Sequence, residues 1–287
     1  MWNVDLGDVD GVIERALAED LHGGDLTSNA TVSPDLKVDA RIVAKGSVVV
    51  CGLFVAGRVF SRLDGTLRFT AKVAEGNRVK PGEELAVLEG NARSLLAGER
   101  TALNLLQHLS GVATLTRAFV DAAGGKARIC DTRKTTPGLR RLERYAVRCG
   151  GGHNHRNDLG AGVLIKENHI RCAGGVEAAV QAARRRAPHP LRVECEVTDF
   201  AELDAALAAG AEIILLDNMD DGHVAAAVQR VDRRAIVEVS GGITLERVPR
   251  LAAAGVDVIS VGALTHSAPA ADISMLFGAL PGASTST

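Results

Sequence analysis

Residues 131–136 read DTRKTT and open the stretch that decides the fold; it continues through YAVRCGGGHNHR at 145–156 to LIKENHI at 164–170. Between residues 126 and 156 there are nine Lys or Arg side chains and two acidic ones, whereas the formal net charge of the whole chain is -2. A local excess of positive charge within a nearly neutral chain indicates a site for an anion.

One part of this charge has a simpler interpretation. The pattern predicts a helix over 138–149, which begins after Pro137 and ends at Gly150. Three arginines fall on one side of that helix at i, i+4 spacing, and we expect them to be surface charge: Arg140, Arg144 and Arg148.

A second group of cations has a different setting. Each lies at the edge of a short apolar strand or in a glycine-rich loop, where side chains are held in defined directions. The group consists of Arg133, Lys134, His155, Arg156 and Lys166. The sequence therefore predicts that these five, rather than the helical arginines, form the anion site.

From residue 126 onward, short apolar runs alternate with helical patterns. Strands are predicted at 127–131, 162–166, 192–197, 212–216, 235–239 and 257–261, and helices at 138–149, 174–186, 200–209, 221–231 and 245–254. Such alternation is typical of a parallel sheet covered by helices. It does not distinguish a doubly wound sheet from a barrel, because both folds use right-handed crossovers. The stretch is shorter than the ~250 residues of an eight-stranded barrel, so six or seven strands fit better.

Polar residues stand at the ends of these strands. The carboxyl ends of parallel strands open on one face, so side chains far apart in sequence should meet there. They include Thr132, Arg133, Lys134, Lys166, Glu196 and Asp217. This convergence is the main argument from the residues alone for an active site.

The last two loops of this region are small, rich in glycine and followed by helical patterns. Backbone N–H groups at a helix start bind phosphate, and barrels often place phosphate on their last two loops. We expect a phosphate group to be bound here by Ser240, Gly241, Gly242, Gly262 and Ala263, with His266 as a further contact. The alternative is a pair of tight strand–helix turns without a ligand.

Two carboxylates, Glu196 and Asp217, lie near the ends of neighbouring predicted strands. An acid that faces a barrel interior needs a partner, which ribose hydroxyls and Mg²⁺ would supply. The alternative is a structural Glu–Lys pair. Glu194 shares a strand face with Glu196, and of the two it is the one expected to be purely structural.

The blocks DTRKTTPGLR, YAVRCGGGHNHR and LIKENHI, in this order and spacing, resemble quinolinate phosphoribosyltransferase, also called nicotinate-nucleotide pyrophosphorylase (carboxylating). Matching elements run through nearly the whole chain. The resemblance, not the periodicity, implies an α/β fold with a C-terminal (β/α) barrel of six to seven parallel strands at 113–267. It also implies an N-terminal α+β sandwich domain at 1–112, with 268–287 packing back on it, and a cytoplasmic homodimer.

The resemblance further implies the reaction. The 5-phosphoribosyl group of 5-phosphoribosyl pyrophosphate (PRPP) would be joined to quinolinate, giving nicotinate mononucleotide, CO₂ and pyrophosphate. Guanidinium groups bind carboxylates bidentately, which suits a planar dicarboxylate. The implied quinolinate site comprises Thr132, Arg133, His155, Arg156, Lys166 and the neighbouring subunit's Arg100. Lys134 would serve pyrophosphate, Glu196 and Asp217 would hold Mg²⁺, and these three with Lys166 would be catalytic.

The region before residue 126 has other patterns. A helix is predicted over 8–21 and a long helical region over 91–123. Residues 36–90 are predicted to alternate short strands and turns, with strands at 40–44, 47–50 and 67–73. This stretch is interpreted as scaffold.

Composition narrows the class of protein. The five cysteines are scattered without a Cys-x-x-Cys pair, which is typical of a reduced, cytoplasmic protein. Acidic side chains occur throughout the first 20 residues, and apolar runs are short, so we expect neither a signal peptide nor a membrane span.

Three other functions stay open from the sequence. His153-x-His155 would suit a metal hydrolase, but the pair precedes its strand and lacks a third ligand at fitting spacing. A nucleic-acid-binding module is disfavoured because aromatic residues make up 3% of the chain, which leaves few stacking platforms. A ModD-like paralogue would use another acceptor on the same architecture; the complete set of site cations favours quinolinate.

Overall fold

The computed structural model describes residues 6–278, and these residues divide into two units. Unit 1 contains the chain up to Leu115, the segment Thr136–Gly151 and the segment that starts at Ala268. Unit 2 contains Thr116–Thr135 and Gly152–Ser267. The sequence-based division placed 136–151 in the barrel domain, whereas in the structure this segment clusters with unit 1. The last residues of the expected returning segment, 279–287, lie outside the described part of the chain.

Unit 1 combines helices with antiparallel strands. Its helices are α1 (Leu6–Asp20), α2 (Leu26–Thr31), α3 (Leu53–Leu63), most of α4 (Ala92–Ala123) and α5 (Arg140–Cys149). Its strands are β1 (Lys37–Ala44), β2 (Val48–Val49), β3 (Arg68–Ala71), β4 (Arg78–Val79), β5 (Glu84–Asn91) and β12 (Ile273–Phe277). The order β12-β1-β5-β3 forms one sheet and β2-β4 another. The α+β composition predicted for this part of the chain is confirmed, and β12 pairs with β1 as expected of a returning segment.

The alternation of side chains along β1 explains why it forms a strand. Val38, Ala40 and Ile42 are buried, while the residues between them are exposed, so one face of β1 packs on the core. The prediction of strands and turns throughout 36–90 is wrong at α3. There Ala56, Val59 and Phe60 are buried at helical spacing, and this period of three to four residues was the missed signal.

A buried carboxylate of α5, that of Glu143, has polar partners in unit 1. The Glu143 side chain has no exposed surface; it contacts His108 Nε2 at 2.9 Å and accepts a hydrogen bond from the Thr136 backbone at 3.0 Å. Arg140, Arg144 and Arg148, which we expected to be surface charge, are each half-buried. Arginine side chains of α5, and not its apolar residues alone, are therefore partly covered by the fold.

Unit 2 is built from strand–helix repeats. Its strands are β6 (Arg128–Cys130), β7 (Val163–Ile165), β8 (Val193–Val197), β9 (Ile213–Asp217), β10 (Ile236–Ser240) and β11 (Val258–Ser260). Its helices, after the end of α4, are α6 (Glu167–Ala173), α7 (Val176–Arg186), α8 (Phe200–Ala209), α9 (Asp221–Val231), α10 (Val248–Ala253) and α11 (Ala263–His266). Every predicted strand of unit 2 is present, with shifts of at most one residue at its ends.

The six strands form one parallel sheet in the order β6-β11-β10-β9-β8-β7. A further parallel bridge joins Cys130 of β6 to His153, which adds a seventh short extended segment beside β6. The predicted barrel unit of six to seven parallel strands is thereby confirmed. Two helices differ from expectation: α6 was not predicted, and α10 begins at Val248 rather than at residue 245.

Among the described residues, no helix combines the length and apolar character that a membrane crossing requires.

Replacing Glu143 should destabilise unit 1. In a Glu143→Ala variant His108 and the Thr136 N–H lose their acceptor, so the free energy of unfolding should fall by about 1–3 kcal/mol. Urea denaturation measures this change. Glu89→Ala is the matched control, because Glu89 is 54% exposed and lies 3.9 Å from Arg68; its loss should stay below about 0.5 kcal/mol. Equal losses in the two variants would contradict a stabilising role for the buried carboxylate.

Candidate active site

The buried carboxylate of Asp131 organises the loop that carries several of the predicted cations. Asp131 follows β6 and has no exposed surface. Its Oδ1 accepts the His155 backbone N–H at 2.7 Å, and its Oδ2 accepts Asn154 Nδ2 at 2.5 Å. These bonds, with the bridge from β6 to His153, hold the loop against the carboxyl end of the strand. Arg133 and Arg156 are therefore brought to the same region from separate parts of unit 2.

Two guanidinium groups lie close together there. Burial and repulsion from Arg133 lower the pKa of Arg156, while Glu194 opposes this shift. Arg156 Nη1 also donates to the carbonyl oxygen of Gly162 at 3.0 Å, which fixes the direction of its side chain. Two cations that repel each other favour an anion placed between them, because the anion removes the repulsion.

His155 lies between two buried carboxylates. Its Nε2 is 3.4 Å from Glu194 Oε2 and 3.4 Å from Glu238 Oε1. Burial opposes protonation of the ring, but the two carboxylates together raise the pKa of His155 to about 10. Its Nδ1, however, accepts the Arg156 backbone N–H at 2.7 Å, which requires an unprotonated Nδ1. This hydrogen bond describes a neutral ring with its hydrogen on Nε2. Protonation of Nδ1 would break the bond but would leave the Nε2 hydrogen facing the carboxylates.

The second predicted group gathers at the ends of β7, β8 and β9. Lys166 Nζ donates to Glu196 Oε2 at 2.5 Å, so the structural Glu–Lys pair considered from the sequence does form. Burial and the nearby negative charge of Glu196 raise the pKa of Asp217, while Lys166 and Lys134 act in the opposite direction. The Lys166 side chain is still 49% exposed, so a ligand can reach the pair.

The chemistry of this donor set fits Mg²⁺. Glu196 and Asp217 supply oxygen atoms from two carboxylates that lie near each other, and Mg²⁺ is usually bound by one or two carboxylates together with substrate phosphates. The His155, Glu194 and Glu238 ligand atoms also lie within 4.8 Å of one another. In that cluster, however, the imidazole Nε2 already faces both carboxylates, and its other nitrogen accepts the Arg156 backbone N–H.

The loop after β10 requires glycine. Gly241 has φ +88°, and a Cβ atom there would overlap the Asn218 side chain. Arg247 ties this loop down, since Nη1 donates to the carbonyl oxygens of Gly241 and Gly242 at 3.2 and 3.3 Å, and Nε donates to Asp221 at 2.7 Å. The loop leads into a helix as expected, but α10 begins at Val248, after a turn, rather than at residue 245.

The loop after β11 meets the Lys134 segment. Thr265 Oγ1, which is buried, donates to the carbonyl oxygen of Lys134 at 2.6 Å. A Cβ atom at Gly262 would lie 3.1 Å from Lys134 Cδ and 3.2 Å from His266 Nε2, so both side chains pack at this glycine. Lys134 N–H also donates to Thr132 Oγ1 at 3.1 Å. The loop near Gly262 is therefore adjacent to a lysine suited to phosphate.

Within unit 2, the predicted residues fall into these groups at the carboxyl ends of the strands, as expected. Arg100 belongs to α4 in unit 1, where its side chain is exposed. Several partners were missed by sequence reasoning: Asp131, Asn154, Glu238, Ser260, Thr265 and Arg247. For Glu238 a signal existed, since it is an acid inside the otherwise apolar strand IVEVS.

Comparisons with known proteins identify the family of this chain. The model of the quinolinate phosphoribosyl transferase C-terminal domain matches residues 112–276, and the model of its N-terminal domain matches residues 25–110. Among curated relatives, the nicotinate-nucleotide pyrophosphorylase [carboxylating] of Mycobacterium leprae is 47% identical over 270 residues, covering 92% of this chain and 95% of the relative. A probable enzyme of the same name from Bacillus subtilis is 43% identical, covering 92% and 91%.

Solved structures show the same fold. The nicotinate-nucleotide pyrophosphorylase of Francisella tularensis superimposes with a TM-score of 0.92 at 39% identity, covering 96% of this chain and 98% of that one. NadC from Streptococcus pyogenes gives a TM-score of 0.93 at 39% identity, covering 98% and 100%. With both family models matched in order along nearly the whole chain, the protein belongs to the quinolinate phosphoribosyltransferase family.

Proposed function

We infer that this chain transfers the 5-phosphoribosyl group of PRPP to quinolinate with loss of CO₂, giving nicotinate mononucleotide and pyrophosphate for NAD synthesis. The observation that carries this inference is that Arg133 lies near enough to Arg156 to lower its pKa, while the Arg156 backbone N–H donates to His155 Nδ1. The relatives named for this activity support the same reaction. The ModD-like alternative is not favoured, because the matched family models and relatives carry the quinolinate activity.

The cations fit a planar dicarboxylate. Each charge-assisted hydrogen bond contributes about 1.5–3 kcal/mol net, so several are needed to offset the desolvation of a dianion. Arg133 and Arg156 would bind the carboxylates as forks, with Thr132, His155 and Lys166 at the edge of the site. The guanidinium groups are already held near each other before binding, which lowers the ordering cost.

The phosphoribosyl side of the site has its own residues. Ser240, Gly241, Gly242, Gly262 and Ala263 would hold the 5-phosphate through backbone N–H groups, with His266 nearby. Lys134 would contact the pyrophosphate. Glu196 and Asp217 would hold ribose hydroxyls and Mg²⁺, directly or through water; when bound, Mg²⁺ supplies charge neutralisation of the departing pyrophosphate.

The chemistry needs placement and charge rather than a nucleophilic side chain. The pyridine nitrogen of quinolinate forms a bond to C1 of the ribosyl group as the C1–O bond to pyrophosphate breaks. Glu196 and Asp217 would stabilise the positive charge that develops on the ribosyl group. The 2-carboxylate then leaves as CO₂, its bonding electron pair remains on the cationic ring, and a proton completes C2.

We further propose a homodimer in which Arg100 completes the partner's quinolinate site, because its exposed position on α4 leaves the guanidinium free to reach outward. The described cysteines are all free thiols, which fits a reducing compartment such as the cytoplasm. We propose neither nucleic acid nor membrane as a partner.

A direct assay tests the proposed reaction. Quinolinate labelled in its 2-carboxylate should release CO₂ only when PRPP and Mg²⁺ are both present, and nicotinate mononucleotide should form in equal amount. Release that does not need PRPP, or turnover that survives chelation of divalent cations, would contradict the proposal in its substrate or its metal. Failure with quinolinate but turnover of another pyridine acid would move the chain to a different acceptor.

Removal of Arg133 should abolish acceptor binding. We expect Arg133→Ala to lower kcat/KM for quinolinate by at least about a hundredfold, because a bidentate charged contact is lost. Arg128→Ala is the matched control, since Arg128 is an exposed arginine at the opposite end of β6. Steady-state kinetics with each substrate varied measures both. Equal kinetics in the two variants would remove Arg133 from the quinolinate site.

Subunit mixing tests the proposed role of Arg100. Arg100→Ala and Lys166→Ala should each be inactive alone, whereas heterodimers of the two contain one site with both residues intact. Equal mixing should restore about a quarter of the wild-type specific activity, as expected for a two-fold dimer with exchanged residues. If mixing and subunit exchange restore nothing, Arg100 does not act across an interface.

A further inference from the structure

Both ring nitrogens of His155 contact groups of the protein. Nδ1 accepts the Arg156 backbone N–H at 2.7 Å, and Nε2 lies 3.4 Å from both Glu194 and Glu238. The ring is therefore fixed on opposite edges, and it links the buried carboxylates to the backbone of Arg156. A histidine held in this way transmits the position of its partners to the neighbouring residue.

Glu238 is itself held by a second strand. It lies in β10 and is 4% exposed, while Ser260, at the end of β11, is 3% exposed. Ser260 Oγ donates to Glu238 Oε1 at 2.5 Å, and this is the same oxygen that faces His155 Nε2. A buried carboxylate with two donors on one oxygen has a defined rotamer, because a change of rotamer would strip both bonds.

The chain of contacts continues to the guanidinium of Arg156. Its backbone N–H is anchored on His155, and its Nη1 is anchored on the carbonyl oxygen of Gly162 at 3.0 Å. Ser260, Glu238, His155 and Arg156 thus form a continuous series of contacts from the buried side of β11 to the proposed acceptor site. Neither Ser260 nor Glu238 needs to touch a substrate to influence that site.

We propose that Glu238 and Ser260 are positioning residues, which orient His155 and through it Arg156 for binding of the pyridine dicarboxylate. This inference rests on the proposed function, since it concerns the same acceptor site. It assigns a role to residues whose side chains contact His155 and each other, so their effect should be selective for one of the two substrates.

Comparing KM for quinolinate with KM for PRPP in variants of Glu238 and Ser260 tests this selectivity. Glu238→Gln keeps the shape of the side chain and an acceptor for Ser260, but removes the charge that faces His155. We expect KM for quinolinate to rise about ten- to hundredfold, because small displacements of a binding group have effects of this size. KM for PRPP should stay within about twofold. Ser260→Ala removes one hydrogen bond to Glu238, so it should change KM for quinolinate in the same direction by about tenfold or less.

Ser110→Ala provides a matched control. Ser110 is a fully buried serine in unit 1 whose Oγ accepts the Cys51 N–H at 3.0 Å and donates to the Cys51 carbonyl oxygen at 3.1 Å. Its loss should lower the unfolding midpoint without changing either KM. If Ser260→Ala behaves like Ser110→Ala, the role of Ser260 is structural only and the proposal is overturned.

A double variant shows whether Ser260 acts on the quinolinate site through Glu238 or independently of it. Because Ser260 acts through Glu238, Glu238→Gln with Ser260→Ala should raise KM for quinolinate no further than Glu238→Gln alone. Calorimetric titration of quinolinate into each folded variant gives the same comparison without turnover. Should Glu238→Gln fail to fold, Ser260→Ala carries the test alone, and an unchanged quinolinate affinity in it would overturn the proposal.

Assays of the wild-type protein distinguish failure of the positioning role from failure of the proposed function. A wild-type protein that converts quinolinate, beside a Glu238→Gln variant with the same quinolinate KM, would overturn the positioning role and leave the proposed function intact. A wild-type protein that neither binds nor converts quinolinate would overturn both. Equal increases in KM for both substrates would also contradict positioning of the acceptor site.

Discussion

The burial of Asp131 is the constraint on which the arrangement of unit 2 depends. A carboxylate without exposed surface is strongly destabilising unless hydrogen bonds replace its water. Asn154 Nδ2 and the His155 N–H supply them, and both belong to the loop that also bridges to β6. Satisfying one buried charge therefore brings His155 and Arg156 to the end of the strand that leads to Arg133.

Buried acids recur beneath the cations. Glu194 and Glu238 face His155, and Glu196 holds Lys166, so basic side chains in unit 2 are accompanied by carboxylates. Removing one partner of such a pair is strongly destabilising, because the other charge stays buried. The site thus has fixed charges before any ligand arrives, and an incoming dianion meets groups that have already been oriented.

The two halves of the reaction are separated along the same set of strand ends. The acceptor cations depend on β6 and the loop at 153–156, whereas the phosphate loops depend on β10 and β11. Contacts of Thr265 with the Lys134 carbonyl join the two halves at one side. Glu238 of β10 and Ser260 of β11 also support His155, so the strands that lead to the phosphate loops hold part of the acceptor site as well.

The sequence by itself determined the strand–helix alternation after residue 126, the six strands and the identity of the cations at their ends. These follow from side-chain periodicity and from the rule that parallel strands end on one face, both of which depend on near neighbours in sequence. It failed at α3, where short-range strand patterns were preferred to a buried helical stripe. Only the tertiary structure decided that Glu238 contacts His155 and Ser260, and that the Glu143 side chain of α5 is buried against His108. Such contacts are set by the register between distant strands and by packing, and the cost of burying a charge can be assessed only once its partners are known.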